Sequence, residues 1–226
     1  VAQGIKDWRP ENAVGQIRMQ GCNADIGLED LTLEQAYEKG ARTMVIGVAN
    51  RGGYISEAWK AVLIEALSTG FDLASGLHNL LRDEPDLVAN AKQYGRLLHD
   101  VRVPTVEYPI ANGKNRTGKR CLAVGTDCSA GKMYTAMAID KLMQDRGMKS
   151  TFRATGQTGI LITGGGVPLD AVIADFMAGS IEYLTPDNDE DHWDLIEGQG
   201  SLFHVSYSGV TMALIHGGQP DALILC

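Results

Sequence analysis

The sequence predicts an α/β protein in which a domain built on a parallel sheet precedes a second α/β domain that carries a phosphate-binding loop. Short apolar runs alternate with amphipathic segments of helical period, which is the pattern of parallel strands joined by crossover helices. One apolar run is followed directly by a glycine-bearing turn, a lysine and a helical segment, the context that a phosphate loop requires. Residues 109–118 are polar, contain glycine and lack periodicity. We therefore expect them to link a domain at 1–108 to a domain at 119–226.

The N-terminal half supplies the first sheet. Thr32 and Gln35 form a predicted capping box, and glycines close the helical segments. The expected elements are the end of a helix at 1–8, a strand at 13–19, a short helix from 33 to Gly40, a strand at 43–48, a helix over 55–67 stopped by Gly70, a strand at 71–74, a helix from 83–85 to Gly95 and a strand at 97–103.

Two loops of this half follow predicted strands, at 50–53 and 75–79. In parallel sheets ligands bind beyond the carboxyl ends of the strands, so both loops are candidates for the edge of a site. Arg51 is a candidate clamp for a substrate carboxylate, although an exposed loop arginine is the commoner outcome. His78 is a second candidate substrate-binding residue, although a lone histidine more often has a structural role. Neither loop contains the Gly-x-Gly-x-x-Gly fingerprint of dinucleotide binding.

The phosphate loop reads Gly125-Thr126-Asp127-Cys128-Ser129-Ala130-Gly131-Lys132. A strand is expected before it at 120–124 and a helix after it over 133–146. The turn presents backbone N–H groups, the helix adds its positive end, and the lysine adds a point charge. The alternative is a structural strand-to-helix turn that binds no phosphate and leaves the lysine exposed.

The loop departs from the common pattern in two ways. Five residues, not four, separate the first glycine from Gly131-Lys132, and Met133 stands where a Ser or Thr usually holds Mg²⁺. A thioether is a poor ligand for a hard cation. The loop is therefore expected to bind a phosphate without Mg·ATP chemistry.

The remaining elements complete the second domain. Glycine clusters at 155–159 and 164–166 suit close approach to a ligand, and for the second cluster a set of tight turns is an equal alternative. The expected elements are a strand at 150–154, a helix from Pro168 to Gly179, a strand at 193–196, a helix over about 207–216 and a buried strand at 222–226.

A second polar turn, Glu197-Gly198-Gln199-Gly200-Ser201, follows the predicted strand at 193–196. A carboxylate at this place, in the same sheet as a phosphate loop, is typical of a metal ligand or a proton acceptor. Glu197 is the first candidate for a general base and His204 the second. A structural turn is the alternative reading.

Composition narrows the class of protein. The chain has 226 residues, 44% of them hydrophobic and 21% charged, with a net charge of −8 and a pI near 5.1. This acidity argues against nucleic acid as a partner, and no apolar stretch is long enough to span a bilayer. The scattered cysteines predict reduced thiols and a cytoplasmic protein. Because the chain lacks an initial Met and stops within an apolar run, we expect the natural protein to extend beyond both ends.

Three motifs together resemble the D-glutamate N-acetyltransferase family, and the resemblance covers essentially the whole chain. They are Ser75-Gly76-Leu77-His78, Arg153-Ala154-Thr155-Gly156-Gln157-Thr158-Gly159 and Glu197-Gly198-Gln199-Gly200-Ser201-Leu202. The phosphate loop by itself is similar to that of dethiobiotin synthetase. The resemblance implies a Rossmann-like N-terminal domain and a C-terminal P-loop domain.

The resemblance also implies acetyl transfer from acetyl-CoA to the amine of D-glutamate in amino-acid catabolism. Coenzyme A carries phosphates that a phosphate loop can bind without a metal, so no metal is expected and Met133 is understandable. The acyl donor is expected at Gly125, Thr126, Asp127, Ser129, Ala130, Gly131, Lys132 and Met133. The acidic substrate is expected at Arg51, His78, Arg153, Gln157, Thr158, Gln199 and Ser201. Gln157 and Gln199 are also candidate donors to the oxyanion.

Two other functions remain open from the sequence. One is an ATP-dependent ligase or kinase of the dethiobiotin synthetase type, in which Asp127 and Glu197 would hold Mg²⁺. The other is a nucleotide-sensing module without catalysis. We expect a small-molecule substrate and a homo-oligomer.

Overall fold

The computed structural model describes residues 1–50 and 52–226 and divides into two compact units, residues 1–102 and 103–226. Arg51 lies outside the described residues, so its role in substrate binding stays a prediction. Within the described residues, no helix is long and apolar enough to cross a membrane.

The first unit consists of helices on a parallel sheet. Its strands pair in the order β1-β2-β3, as the alternating pattern predicts. In chain order its elements are α1 (Ala2–Trp8), α2 (Leu33–Glu38), β1 (Thr43–Val45), α3 (Glu57–Thr69), β2 (Asp72–Ser75), α4 (Pro85–Tyr94) and β3 (Leu98–Asp100).

Local sequence signals set the bounds of the helices in this unit. The Thr32 hydroxyl accepts the backbone N–H of Gln35 at 3.2 Å, and the Gln35 side chain accepts the N–H of Thr32 at 2.9 Å. This confirms the predicted capping box. Gly70 (φ 113°) and Gly95 (φ 63°) end α3 and α4 in the left-handed conformation, which costs a glycine nothing.

The strand predicted at 13–19 is wrong. Gln16 forms only an isolated parallel bridge to Asp30. Its amide also donates to Asp25 Oδ1 at 2.8 Å and to the Leu28 carbonyl at 2.9 Å. A side chain that bonds nearby backbone and carboxylate groups favours an irregular turn over a sheet ladder.

The core of the first unit lies where α3 and α4 cover the sheet. Apolar positions of the two helices meet β2 and the segments that flank it. The buried members include Leu63, Ala66, Leu67, Phe71, Leu73, Leu77, Leu81, Leu87 and Ala91.

The second unit is also an α/β layer, and its strands all pair in parallel in the order β5-β6-β4-β7. Parallel strands end at the same edge of a sheet, so the loops after neighbouring strands lie together. In chain order its elements are β4 (Lys119–Val124), α5 (Lys132–Asp145), β5 (Ser150–Arg153), α6 (Gln157–Thr163), α7 (Ala174–Leu184), β6 (Trp193–Ile196), α8 (Ser208–Gly218) and β7 (Ala222–Leu225).

The helix predicted to close at Gly179 instead begins later and runs through it. Residues 169–171 form a single 3₁₀ turn, and α7 continues past Gly179. A Cβ at Gly179 would overlap the carbonyl oxygen of Pro109. Gly179 therefore allows α7 to pack closely against the backbone at Pro109, and it does not end the helix.

The structure of this unit differs from the predicted elements at two further places. The short helix α6 is absent from the predicted elements, because Gly159 within it and Gly156 and Gly164 on either side of it disfavour a helix. The strand predicted as buried at 222–226 runs from Ala222 to Leu225, and its Leu223 and Leu225 are exposed in the described structure.

The core of the second unit lies between its sheet and the helices α7 and α8. It contains Tyr108, Leu122, Val124, Val167, Leu169, Val172, Ile181, Ile196 and Leu214. This packing fixes β4 and β6 side by side, and thereby the two loops that leave them.

Candidate active site at the carboxyl edge of the second sheet

The phosphate loop and the Glu197 turn are neighbours because β4 and β6 are paired. Leu122 in β4 lies opposite Ile196 in β6. Gly125 follows the end of β4, and Glu197 follows the end of β6 directly. The topology thus brings together the two motifs that the sequence analysis singled out.

The phosphate loop has the backbone of an anion-binding turn. Residues 126–131 are exposed, and Ser129 (φ 57°) and Gly131 (φ 96°) adopt left-handed conformations. Asp127 Oδ1 accepts the Cys128 N–H at 2.7 Å. Within the described part of the chain, the N–H groups of Ser129 and Gly131 have no hydrogen-bond partner. A loop of this kind, at the start of a long helix, can accept a phosphate.

Lys132 is the first residue of α5 and is nearly buried, with 7% of its surface exposed. Its Nζ donates to the carbonyl of Asp127 at 2.9 Å, so the ammonium lies over its own loop. A Cβ at Gly198 would lie 2.9 Å from Lys132 Cδ and would overlap the Ala123 carbonyl. The aliphatic stem of the lysine therefore lies against the residue that follows Glu197.

Glu197 is held by the end of the neighbouring strand. Glu197 is 3% exposed, and its Oε2 accepts the N–H of Thr155 at 2.8 Å and of Gly156 at 3.0 Å. Burial raises the pKa of Glu197 to about 6, although the bonds from Thr155, Gly156 and Gln199 act in the opposite direction. A carboxyl with this pKa is mostly ionised at neutral pH and can still accept a proton.

Glycines make room for this carboxylate. A Cβ at Gly156 would lie 2.9 Å from Glu197 Oε1 and would collide with the Gln199 amide, and one at Gly159 would collide with Glu197 Oε2. Gln157 and Thr158 begin α6 on this same turn and are half-buried. On the side that faces α6, the Glu197 carboxylate is therefore in contact with the backbone of this turn.

Ser201 connects the two loops. Its buried hydroxyl donates to the Thr126 carbonyl at 3.0 Å and accepts the N–H groups of Phe203 at 3.3 Å and His204 at 3.2 Å. These bonds occupy the hydroxyl within the protein, so that the role of Ser201 in substrate binding stays a prediction.

His204 is exposed and stacks on Tyr207 with ring centroids 4.5 Å apart. Its Nδ1 accepts the Ser206 N–H at 3.2 Å. The neutral ring then carries its proton on Nε2, so that Nε2 is a donor and Nδ1 is already occupied. This arrangement favours Glu197 over His204 as the proton acceptor.

Arg153 has an internal partner. Its Nε donates to Asp194 Oδ1 at 2.8 Å, and Asp194 is buried at the start of β6. The guanidinium therefore points back along the sheet, and its role as a substrate clamp stays a prediction. Met133 is half-buried in the first turn of α5.

In the first unit, the structure brings together the two loops that were predicted to form an edge. The Asn79 N–H donates to the Gly53 carbonyl at 2.8 Å, and a Cβ at Gly53 would lie 2.9 Å from the His78 ring. The His78 side chain is exposed. Partial desolvation of the ring, followed by the charge of Arg102, nevertheless lowers the pKa of His78.

Sequence reasoning did not assign site roles to Thr155, Gly156 or Gly198. Thr155 fixes the Glu197 carboxyl, and the two glycines admit Glu197 and Lys132. The sequence does contain a signal for the two glycines, because Gly156 is next to Gln157 and Gly198 is next to Glu197, and both neighbours are candidate site residues. Among residues 1–50 and 52–226, no group of three or more His, Cys, Asp or Glu side chains is placed to hold a metal ion.

Two parallel α/β units, the second with a phosphate loop beside a buried carboxyl, define a protein that joins a Rossmann-like domain to a P-loop domain. Residues 17–104 match the family model described as a domain of unknown function, DUF1611_N, Rossmann-like domain, and residues 109–226 match the DUF1611_C P-loop domain. The chain belongs to the DUF1611 family. The α/β fold class predicted from the sequence is confirmed.

Two curated relatives and one solved structure are similar to the chain. A D-glutamate N-acetyltransferase of Tritonibacter scottomollicae is 78% identical, and one of Pseudoalteromonas sp. is 46% identical. Each match covers all 226 residues of this chain and 68% of the relative. A crystal structure of a DUF1611 family protein from Anabaena variabilis ATCC 29413 is 40% identical with a TM-score of 0.79, over 87% of this chain and 57% of that one. The predicted resemblance to D-glutamate N-acetyltransferases is confirmed.

Proposed function

We propose that this chain functions as an N-acetyltransferase that moves an acetyl group from acetyl-CoA to the amine of D-glutamate. The names of the two curated relatives support the activity, since both are D-glutamate N-acetyltransferases and one is 78% identical over the whole chain. Both relatives extend beyond the part that this chain matches. The acyl donor and the residues that perform the reaction are our inference from the site.

The observation that carries the proposal is that Lys132 lies against Gly198, the residue that directly follows Glu197. The lysine stem packs against Gly198 at the phosphate loop, and the Glu197 carboxyl lies at the adjacent strand end. A donor with its diphosphate on the loop would extend toward the carboxyl. The loop offers exposed N–H groups and an ammonium for this purpose.

Met133 agrees with this use of the loop. Binding a diphosphate requires N–H groups and a cation, whereas phosphoryl transfer would also require a residue that holds Mg²⁺. Acetyl transfer from a thioester requires no such residue. We propose that the loop binds its ligand without a metal.

In the reaction, the amine of the acidic substrate attacks the thioester carbon, a C–N bond forms and the C–S bond breaks. The substrate ammonium must first lose a proton, and we propose that Glu197 accepts it. The departing coenzyme A thiolate takes up one proton, so that one proton is released overall. Because Oε2 of Glu197 accepts both backbone bonds, Oε1 is the oxygen that we assign to this step.

Titration calorimetry with acetyl-CoA and with Mg·ATP tests the proposal. We expect acetyl-CoA to bind without a divalent cation, and acetyl transfer to D-glutamate to be unaffected by a chelator. Tight binding of Mg·ATP with none of acetyl-CoA would favour the ligase or kinase that the phosphate loop also suggests. The homo-oligomeric state and the cytoplasmic location stay predictions.

A further inference from the structure

The turn after Ser201 presents an apolar surface that the proposed reaction leaves without a role. Phe203 is 74% exposed and Val205 is 94% exposed. We call residues 202–207 the 202–207 loop. Single exposed apolar side chains are common on protein surfaces, whereas neighbouring ones beside a site can form a surface that contacts a ligand or a partner.

The 202–207 loop is fixed to the phosphate loop by hydrogen bonds. The Leu202 N–H donates to the Gly125 carbonyl at 2.9 Å. The Ser201 hydroxyl joins the Thr126 carbonyl to the N–H of Phe203. The backbone of Phe203 is therefore two hydrogen bonds away from the phosphate loop, and the apolar surface continues from that site.

The surface is also free of charge. Residues 201–212 contain no Lys, Arg, Asp or Glu, and the His204 ring is stacked on Tyr207. A neutral surface is unsuited to the phosphates of a nucleotide or to anionic lipid. It suits the neutral, partly apolar segment of a ligand whose charged end lies elsewhere.

We propose that Phe203 and Val205 form the subsite for the pantetheine arm of the acyl-CoA. This inference rests on the proposed function. The arm is an uncharged chain of two amides with a geminal dimethyl group, and it joins the diphosphate to the sulfur. With the diphosphate at Lys132, the arm leaves the phosphate loop beside the 202–207 loop, and the dimethyl group packs on Phe203 and Val205.

The test compares two ligands on three variants by titration calorimetry. The ligands are coenzyme A and adenosine 3′-phosphate 5′-diphosphate, which lacks the arm. The variants are Phe203→Ser, Val205→Ser and a control, Leu142→Ser. Leu142 is 50% exposed and lies in α5, about 15 Å along the helix from Lys132.

We expect Phe203→Ser and Val205→Ser each to weaken coenzyme A binding by about tenfold, and to leave the nucleotide unchanged. Leu142→Ser should bind both ligands as the parent does. Circular dichroism checks that each variant is folded. Two loop variants are used so that the conclusion does not depend on a local structural change caused by one substitution.

Several outcomes overturn the inference. Unchanged affinity for coenzyme A in both loop variants shows that the arm lies elsewhere. An equal loss for both ligands shows that the loop supports the phosphate site rather than the arm. A change in oligomeric mass with unchanged affinity makes the surface an interface. If the parent protein binds neither ligand, the proposed function itself is wrong. That result differs from the one in which the parent binds both ligands and the variants bind them equally well, which overturns only the pantetheine subsite.

Discussion

Thr155 and Glu197 are joined by two hydrogen bonds, although 42 residues separate them along the chain. The Thr155 N–H donates to Glu197 Oε2 at 2.8 Å, and the Thr155 hydroxyl donates to the Glu197 carbonyl at 2.6 Å. The ends of β5 and β6 are thereby tied together, and the carboxyl group has a fixed orientation. Its chemistry can be altered with little change to its position.

Glu197→Gln should reduce turnover by about 10²- to 10⁴-fold, the usual contribution of a general base. The amide oxygen can still accept the Thr155 and Gly156 N–H groups, so coenzyme A affinity and folding should be preserved. Steady-state kinetics and calorimetry measure the two effects. The matched control is Glu190→Gln, an exposed carboxylate in the 187–191 loop. Full turnover in Glu197→Gln would show that another group is the base.

The raised pKa of Glu197 predicts opposite effects of pH on activity and stability. The ionised form is the base, so kcat should rise with pH through about 6. The folded pKa lies above the unfolded value near 4.5, so the folded state binds the extra proton. The Glu197 contribution to stability is therefore greatest below pH 4.5 and is lost as pH rises through about 6.

The free energy of unfolding of Glu197→Gln relative to the parent isolates this titration. Between pH 4.5 and 7, the free energy of unfolding of the variant should rise by about 2 kcal/mol relative to that of the parent, because the amide of the variant does not ionise. Urea denaturation of both proteins at several pH values gives the difference. A difference that does not change with pH would mean that Glu197 has an ordinary pKa.

The sequence predicts that the phosphate loop and the Glu197 turn leave strands of one sheet, but it does not predict every helix around them. The phosphate loop and the Glu197 turn each follow a short buried strand, and such strands are set by local apolar runs. The helix α6 was missed because Glu197, which bonds Thr155 and Gly156 just before it, lies about forty residues away in the sequence. Gly179 was misinterpreted for the same kind of reason, since its role depends on the distant Pro109 carbonyl.

Lys132→Met should weaken coenzyme A binding by about 10- to 100-fold, the usual loss for a charge-assisted hydrogen bond. Methionine retains an apolar stem to pack against Gly198, so the fold should be preserved. Calorimetry measures the affinity, and Lys141→Met, on the exposed face of α5, is the control. Undiminished affinity would place the phosphates away from this loop.

Gly198→Ala should destabilise the protein by about 1–3 kcal/mol. Its Cβ would overlap the Ala123 carbonyl and press on the Lys132 stem, and neither β4 nor the buried lysine can easily move. Gly165→Ala is the control, because a Cβ there meets open space and no left-handed backbone is involved. We expect it to be neutral or stabilising by about 0.5 kcal/mol. Equal thermal midpoints for the two variants would contradict the close packing at Gly198.

Gln199→Leu should shift the acid limb of the pH–rate profile to higher pH. The Gln199 side chain hydrogen-bonds Glu197 and lowers its pKa against the effect of burial, so removing the amide should raise the pKa above about 6. The backbone of Gln199 is held independently, since the Thr211 hydroxyl donates to its carbonyl at 2.9 Å.

The pH–rate profile separates two roles for Gln199. A shifted limb with an unchanged plateau shows that the residue acts through Glu197. A lower plateau with an unshifted limb shows that it contacts the substrate or the oxyanion, as the sequence predicts. Gln144→Leu, on the exposed surface of α5, should change neither quantity. A loss of folded protein would also lower the plateau, so the plateaus are compared per mole of folded protein, as measured by circular dichroism, and the shift of the limb is unaffected by such a loss.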